Sequence, residues 1–308
     1  MAQIPVEIPR GLAARAALGS DWADWLDRLP QLVAALVEEW ELRYDGPPRH
    51  GFASLVVPVQ TPDRPAALKV TFDGDDESVH EGLALQHWGG RGAVQLLRAD
   101  PHRRALLLER LHTEDLSGVW DIDACEIVAG AYARIHVPAV PQLRPLTSYL
   151  DSWNDGLANL PRDAPLPRRL VEHAVSLARS FSTDAASTGT LIHGDLHYAN
   201  MLAADREPWL VVDPKPMSGD AHYEVAPLLW NRWEEMTHNV RDAIRRRFHT
   251  VVDTAGLDED RARDWVVVRS LHNAFWTVDD ARRLHEPIGA QGREWITRMI
   301  AVAKSVQG

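Results

Sequence analysis

One short segment of this chain sets four polar side chains at fixed distances from each other. His193, Asp195 and Asn200 follow the order His-x-Asp-x-x-x-x-Asn, and Asp213 ends the next apolar run. In sites that transfer phosphoryl groups, an Asp at this spacing orients the attacking hydroxyl, and the Asn and a later Asp hold magnesium ions. The pattern predicts Asp195 and His193 as catalytic residues and Asn200 and Asp213 as metal ligands.

Two other interpretations of this segment stay open. His-Gly-Asp is also found in ordinary turns, as is Asp-Pro at a strand end. Alternatively, His193, Asp195 and His197 form a metal-hydrolase cluster, because His and carboxylate side chains at short spacing ligate zinc or iron. That cluster leaves Asn200 and Asp213 without a role, so phosphoryl transfer explains more of the pattern.

Composition limits the class of protein. The 308 residues are 45% hydrophobic and predict one large or two moderate globular domains. The net charge of −11 argues against nucleic acid as a partner and weakly favours a cationic small molecule. Cys125 is the only cysteine, so an intramolecular disulfide is excluded. Without a signal peptide or a membrane-spanning apolar run, we expect a cytoplasmic protein with no membrane partner.

The first third of the chain is rich in predicted strands. Residues 54–59 and 66–70 flank a proline-containing turn and predict a hairpin. Lys69 on the second strand is then a candidate contact for the phosphates of a nucleotide, and Gly51 and Ser54 are candidate donors to phosphate. A helix from about residue 75 to 88 puts Glu77 and Glu81 one turn apart. Either carboxylate can pair with Lys69, and Glu81 is slightly favoured.

Two more strands, 94–97 and 105–109, extend this sheet to at least four strands. The chain then leaves the sheet through Glu109 and Leu111, where a hinge would offer backbone hydrogen bonds to adenine. Helices are predicted for 21–26 and 31–40, with Pro30 at the start of the second. The remainder of the chain is mainly helical, with helices at 241–255, 259–280 and 293–306 and a Gly256 cap.

Several segments together resemble the aminoglycoside phosphotransferase family, in particular its branch of streptomycin 6-kinases and hydroxyurea kinases. They are residues 53–59, 67–69, 88–97, 107–111, 193–203, 206–210, 213–216 and 219–220. The resemblance implies an α+β, bilobal protein-kinase-like fold: a nucleotide-binding lobe of residues 1–110 with a small antiparallel sheet, and a mainly helical catalytic and acceptor-binding lobe of residues 111–308. It also implies ATP and Mg²⁺ as cofactors, O-phosphorylation of a small hydroxylated compound, and no obligate protein partner.

The acceptor contacts are sought among acidic and aromatic residues of the last third. Carboxylates bind guanidinium groups through paired hydrogen bonds and tryptophan faces stack on planar cations, which suits the dicationic streptomycin. Asp220 has a second interpretation, as a buried support of the catalytic segment. The leading prediction is a streptomycin kinase that confers resistance. A hydroxyurea kinase, a sugar or amino-alcohol kinase, and a non-catalytic nucleotide-binding regulator stay open as alternatives to it. The candidate acceptor contacts are Asp220, Glu224, Trp230, Glu234, Glu235, Trp276 and Asp279.

Overall fold

The computed structural model describes residues 6–161, 163–236 and 239–307. They divide into two compact units. The first unit comprises the chain up to Thr113 together with Ala203–Lys215, and the second comprises Glu114–Leu202 and the chain from Pro216 onward.

The helices and strands of the described residues are numbered in chain order. The helices are α1 (Arg10–Ala13), α2 (Ser20–Glu39), α3 (Glu81–Trp88), α4 (Asp121–Ile135), α5 (Leu146–Ala158), α6 (Arg168–Thr183), α7 (Ala226–Trp230), α8 (Val240–Ala255), α9 (Glu259–Arg283) and α10 (Ala290–Val306). The strands are β1 (Arg43–Tyr44), β2 (Arg49–His50), β3 (Ser54–Gln60), β4 (Pro65–Thr71), β5 (Leu96–Asp100), β6 (Ala105–Glu109), β7 (Val137–Pro138), β8 (Thr190–Ile192), β9 (Met201–Ala203), β10 (Trp209–Val211) and β11 (Met217–Gly219).

An antiparallel sheet forms the centre of the first unit. Its strands lie in the order β1-β3-β4-β6-β5, and β2 also pairs with β3. The predicted hairpin is confirmed: β3 and β4 pair along their whole length, with Val56 opposite Lys69. Alternate residues of β3 are fully buried, as expected for a strand with one face in the core. That core contains Leu55, Val57, Val59, Leu68 and Val70 from the sheet and Trp25, Leu29, Val33 and Leu36 from α2.

Helix α2 differs from the prediction of two helices separated at Pro30. It is one helix with Pro30 inside it. Its buried residues recur every three or four positions on both sides of the proline, so a single apolar stripe packs on the sheet across the break in hydrogen bonding. Tertiary packing therefore outweighs the local cost of an interior proline.

Two boundaries in the first unit were also predicted wrongly. Helix α3 begins at Glu81, and Glu77 lies in a separate 3-10 turn, Asp76–Ser78. The Ser78 hydroxyl donates to the Asp75 carboxylate at 2.7 Å, and such local bonds compete with helix formation. Strand β5 begins at Leu96 rather than at residue 94, because Val94 donates its N–H to the Val211 carbonyl instead.

The second unit is mainly helical. A core cluster includes Leu146 and Leu150 of α5, Phe181 of α6, and Trp265 of α9, and the Phe181 and Trp265 rings stack with centroids 4.0 Å apart. A small antiparallel sheet of order β11-β8-β7 precedes the predicted catalytic segment, residues 193–200, which directly follows β8. Gly256 ends α8 in the left-handed conformation, as predicted. The predicted α+β class is confirmed.

Pro30 provides a test of how α2 is stabilised. Replacing it with alanine restores a backbone N–H inside the helix, so we expect Pro30→Ala to raise the free energy of unfolding by about 1–3 kcal/mol. Urea unfolding followed by circular dichroism measures the change. Gln31→Ala, at an exposed position next along the helix, is the control and should be near neutral. A Pro30→Ala protein less stable than the wild type would contradict this explanation of α2.

Candidate active site

The predicted catalytic segment, residues 193–200, follows β8 and has an accessible Asp195 carboxylate next to a buried His193. The His193 side chain is completely buried, and its Nδ1 accepts the backbone N–H of Asp195 at 3.2 Å. Gly194 has φ of 84°, a conformation that glycine adopts without steric cost. The Asp195 side chain is 43% exposed. His193 therefore positions Asp195, whose carboxylate is accessible to a substrate.

Asn200 closes this segment. Its Nδ2 donates to the Asp195 carbonyl at 2.8 Å. Because the amide nitrogen is used in this way, the amide oxygen is the atom that Asn200 offers to a cation. That oxygen is a suitable ligand for Mg²⁺, which binds almost entirely through oxygen.

Two buried ionic side chains contact the Gly194 peptide. The Glu224 carboxylate, with no exposed surface, accepts the N–H of Gly194 at 2.6 Å and the N–H of His193 at 3.2 Å. Arg269 donates one Nη to the Gly194 carbonyl and the other to the Tyr223 carbonyl. The turn before Asp195 is thus stabilised by charged partners on both its N–H and C=O groups.

The charge of Glu224 is favoured by its surroundings. Burial by itself raises the pKa of this carboxyl, but His136, His193 and Arg269 outweigh burial, and the pKa lies below its ordinary value. His136 Nε2 is 3.8 Å from the Glu224 carboxylate. Glu224 is therefore ionised at neutral pH.

Lys69 in the first unit is the buried centre of an ion cluster. Its Nζ lies 2.7 Å from both carboxylate oxygens of Glu81 and 2.5 Å from Oδ1 of Asp213. Burial opposes the charge of Lys69, but Asp213 and Glu81 outweigh this effect and raise its pKa. The ion pair is made by Glu81, the first residue of α3, while Glu77 lies in the preceding 3-10 turn.

Asp213 has an unusual backbone. Its φ is 56°, in the left-handed region that non-glycine residues rarely adopt, and it stands immediately before Pro214. Such conformations cost of order 1 kcal/mol and are concentrated at functional sites. This strained backbone is consistent with a functional requirement for the orientation of the Asp213 carboxylate.

The other predicted nucleotide contacts lie around the same sheet. Gly51 donates its N–H to the Ser54 carbonyl at 3.0 Å, which makes a tight turn before β3, and Ser54 is buried. Glu109 ends β6, and its carboxylate accepts the N–H of Gln95 at 2.7 Å. Leu111 is partly buried just beyond the strand.

Three cationic side chains that pair with groups near the predicted site residues were not predicted. Arg206 binds the Glu109 carboxylate, with Nη2 at 2.7 Å. Lys215, two residues after Asp213, pairs with Asp75 at 3.1 Å and is mostly buried. Arg269 lies 75 residues from the carbonyl it contacts. Only Lys215 could have been suspected from the sequence, because it lies two residues after Asp213. The contacts of Arg206 with Glu109 and of Arg269 with Gly194 join distant parts of the chain.

Two predicted acceptor contacts lie inside the second unit. Asp220 is buried, and its carboxylate accepts from Arg261 at 2.6 Å and from the Trp265 indole at 2.7 Å. Glu224 contacts the catalytic turn, as described above. Neither carboxylate presents a surface to an acceptor, because both are used to stabilise the fold. The alternative interpretation of Asp220 as a buried support agrees with its position.

The remaining acceptor candidates are spread over the second unit. Trp230 is buried, with the Arg269 guanidinium carbon 5.5 Å from its ring centroid. Trp276 is partly exposed and contacts Trp153 edge-on. The other three are acidic residues in ion pairs: Glu234 with Arg298 at 2.9 Å, Glu235 with Arg232 at 2.6 Å, and Asp279 with Arg283 at 2.9 Å.

Comparison with known proteins assigns the chain to a family. Residues 39–281 match the model of the family described as aminoglycoside/hydroxyurea antibiotic resistance kinase. The chain belongs to this family. Its relatives include a streptomycin 6-kinase of Streptomyces glaucescens, 37% identical over 92% of this chain and 94% of the relative. A streptomycin 6-kinase of Streptomyces griseus is 39% identical over 89% of this chain and 92% of that relative. A hydroxyurea phosphotransferase of Kitasatospora aureofaciens is 39% identical over 85% of this chain and 77% of that relative.

Solved structures agree with this antibiotic resistance kinase family in fold. A spectinomycin phosphotransferase, solved with ADP and its antibiotic, matches with a TM-score of 0.58 at 12% identity, covering 90% of this chain and 98% of its own. A choline kinase of Streptococcus pneumoniae matches with a TM-score of 0.60 at 12% identity, covering 91% and 99%. The predicted kinase-like fold and small-molecule phosphotransferase class are confirmed.

Metal clusters and membrane spans are both absent from the described residues. In that part of the chain, no three His, Cys, Asp or Glu side chains are grouped to hold a metal ion. None of the helices there is long and apolar enough to cross a membrane.

Glu224 gives a pH-dependent test of the site. Because its pKa is lowered in the folded protein, its ionised form stabilises the fold above its ordinary pKa near 4.5, and this contribution is lost as pH falls through the lowered value. We expect Glu224→Gln to reduce the free energy of unfolding by about 1–3 kcal/mol at pH 7, with a smaller deficit below pH 4.

Unfolding in urea at a series of pH values measures this difference. Glu126→Gln, at an exposed position of α4, is the matched control and should change stability little at any pH. A Glu224→Gln deficit that stays constant from pH 7 to pH 3 would show that the charge of Glu224 is not what stabilises the turn.

Proposed function

We propose that this protein transfers the γ-phosphoryl group of ATP to a hydroxyl of streptomycin, at the 6-position, and so confers resistance to the antibiotic. The observation that carries the proposal is the similarity to two proteins named streptomycin 6-kinase, at 37% and 39% identity over about nine-tenths of the chain. The site described above supplies residues that suit this chemistry. ATP as donor points to the cytoplasm as the place of action.

Asp195 is the proposed catalytic base. Its carboxylate is accessible while the turn that carries it is stabilised by Glu224 and Arg269. In the reaction the acceptor oxygen attacks the γ-phosphorus, the bond from that phosphorus to the β–γ bridging oxygen breaks, and Asp195 takes the hydroxyl proton. Phosphoryl transfer depends mainly on such positioning, since its loose transition state needs little covalent assistance.

Lys69 is the proposed contact for the α- and β-phosphates. Burial raises the pKa of its partner Glu81, whereas the side chain of its other partner, Asp213, is 39% exposed, so Asp213 is the carboxylate available to a further cation. Asn200 through its amide oxygen and Asp213 through its carboxylate are the proposed Mg²⁺ ligands. When bound, Mg²⁺ neutralises charge on the phosphate oxygens.

The first unit also supplies the remaining proposed nucleotide contacts. Gly51 and Ser54 close the tight turn between β2 and β3 through the bond from the Gly51 N–H to the Ser54 carbonyl, and this turn is proposed to lie against the phosphates of the nucleotide. Adenine is proposed to bind the backbone between Glu109 and Leu111, because the Glu109 side chain is already used by Gln95 and Arg206.

Hydroxyurea is the second candidate acceptor. The observation that favours it is the hydroxyurea phosphotransferase at 39% identity over 85% of this chain. The two acceptors differ in size and charge, since streptomycin is a large dication and hydroxyurea is small and neutral. The same Asp195 chemistry serves both, so only the acceptor pocket separates the two proposals.

A turnover assay separates the acceptors. Purified protein with ATP and Mg²⁺ is given streptomycin, hydroxyurea, a deoxystreptamine aminoglycoside or choline, and ADP release and product mass are followed. We expect saturable turnover with streptomycin and a kcat/KM at least tenfold above that with the others. Turnover confined to hydroxyurea would replace streptomycin with the second candidate, and turnover confined to choline would contradict both.

Asp195→Asn tests the assignment of the base. Loss of a positioned general base typically costs about 10²- to 10⁴-fold in rate, so kcat should fall by that factor while the KM for ATP changes less than about threefold. Asp205→Asn, at a side chain 95% exposed, is the control and should keep wild-type kinetics. Full turnover by Asp195→Asn would remove Asp195 from the catalytic role.

A further inference from the structure

Four rings of the second unit form one connected group on α5 and α9. Trp153 lies at its centre: its ring centroid is 5.1 Å from that of Tyr149, 4.9 Å from that of Trp276 and 5.6 Å from that of His272. We call Tyr149, Trp153, His272 and Trp276 the aromatic cluster. All members except His272 are partly exposed, so the cluster has a buried base and an accessible side.

His272 is the unusual member of this cluster. Only 1% of it is exposed, and neither ring nitrogen has a hydrogen-bond partner among the residues that the structure describes. Buried polar atoms are nearly always paired, because an unpaired one loses its bonds to water without compensation. Burial also lowers the pKa of His272 to about 3, so the ring is neutral at pH 7 and retains one acceptor nitrogen.

The position of the cluster on α9 links it to the catalytic segment. Arg269, which binds the Gly194 carbonyl, precedes His272 by three residues and Trp276 by seven, so the three lie on one face of the helix. At 1.5 Å per residue, Trp276 is about 10 Å along the axis from Arg269. An acceptor held at the cluster would therefore lie within one small molecule's length of the turn that carries Asp195.

The cluster already binds one guanidinium group from the protein. The Arg144 guanidinium carbon lies 3.9 Å from the centroid of the Tyr149 ring. Guanidinium is planar and weakly hydrated, so it stacks on aromatic faces more readily than an ammonium group does. The partly exposed indoles of Trp153 and Trp276 offer the same kind of surface, and an uncharged imidazole does not repel a cation.

We propose that the aromatic cluster is an acceptor subsite for a planar guanidinium group, which stacks on the partly exposed rings of Trp276 and Trp153, with His272 as the buried base beneath them. The inference rests on the proposed function, because streptomycin carries two guanidinium groups, whereas hydroxyurea has none and deoxystreptamine aminoglycosides carry ammonium groups. The cluster thereby determines specificity, and it takes no part in phosphoryl transfer itself.

Trp276→Leu is the first test. Calorimetric titration of nucleotide-free protein with streptomycin should show affinity reduced about three- to thirtyfold, the range expected for loss of a cation–π contact. The KM for ATP should not change. Trp276→Phe should lose less, because a ring remains, and Trp120→Leu, at a side chain 71% exposed on the same unit, should bind like the wild type.

His272→Leu separates binding from a role in the core. Removing unpaired buried nitrogens should leave the melting temperature unchanged or raise it. If His272 positions the Trp153 ring through their edge-on contact, streptomycin affinity should fall about three- to tenfold in the same protein. An unchanged affinity together with a raised melting temperature would assign His272 to the core alone and overturn its part in the proposal.

The outcomes distinguish this inference from the proposed function. Streptomycin turnover that is equal in the wild type, Trp276→Leu and Trp153→Leu would overturn the subsite and leave the proposed function standing. Binding that depends on Trp276 without any turnover would support the subsite and contradict streptomycin as the acceptor. Wild-type protein that neither binds nor phosphorylates streptomycin would overturn both.

Discussion

Burial of charge around one peptide is the constraint on which the catalytic segment depends. Glu224 and Arg269 contact the N–H and C=O of Gly194 from inside the second unit, where water is excluded. An isolated buried carboxylate or guanidinium is strongly unfavourable, and each is stable in this position because the backbone and its ionic neighbours satisfy it. These bonds hold the turn on both sides, and the Asp195 carboxylate that follows it is accessible.

The first unit also stabilises a buried charge, in this case the ammonium group of a lysine. Lys69 is buried, and two carboxylates, Glu81 and Asp213, surround its ammonium group. One of them comes from the start of a helix and the other from a strained position after β10. The cluster therefore orders two elements around one strand.

Most of the candidate catalytic and nucleotide-binding residues could be predicted from the sequence, but most of the buried residues that stabilise them could not. The pattern around Asp195 and the lysine on β4 followed from local spacing, and the apolar periodicity located the hairpin and α8 to α10. The single helix across Pro30 was not predictable from local propensity, because the sheet that stabilises it is assembled from later residues. Glu224 was predicted only as an acceptor contact, and Asp220 either as an acceptor contact or as a buried support, because their partners, the Gly194 peptide and Trp265, are 30 and 45 residues away.

The proposed role of the accessible Asp195 carboxylate is to direct phosphate to one hydroxyl of streptomycin. The most direct measurement is phosphorus and proton NMR of the product formed by wild-type protein from streptomycin, ATP and Mg²⁺. We expect a single phosphate monoester, with phosphorus–proton coupling that places it on the 6-hydroxyl. Phosphate distributed over several hydroxyls, or no ester formed from streptomycin while ATP is consumed, would contradict the claim.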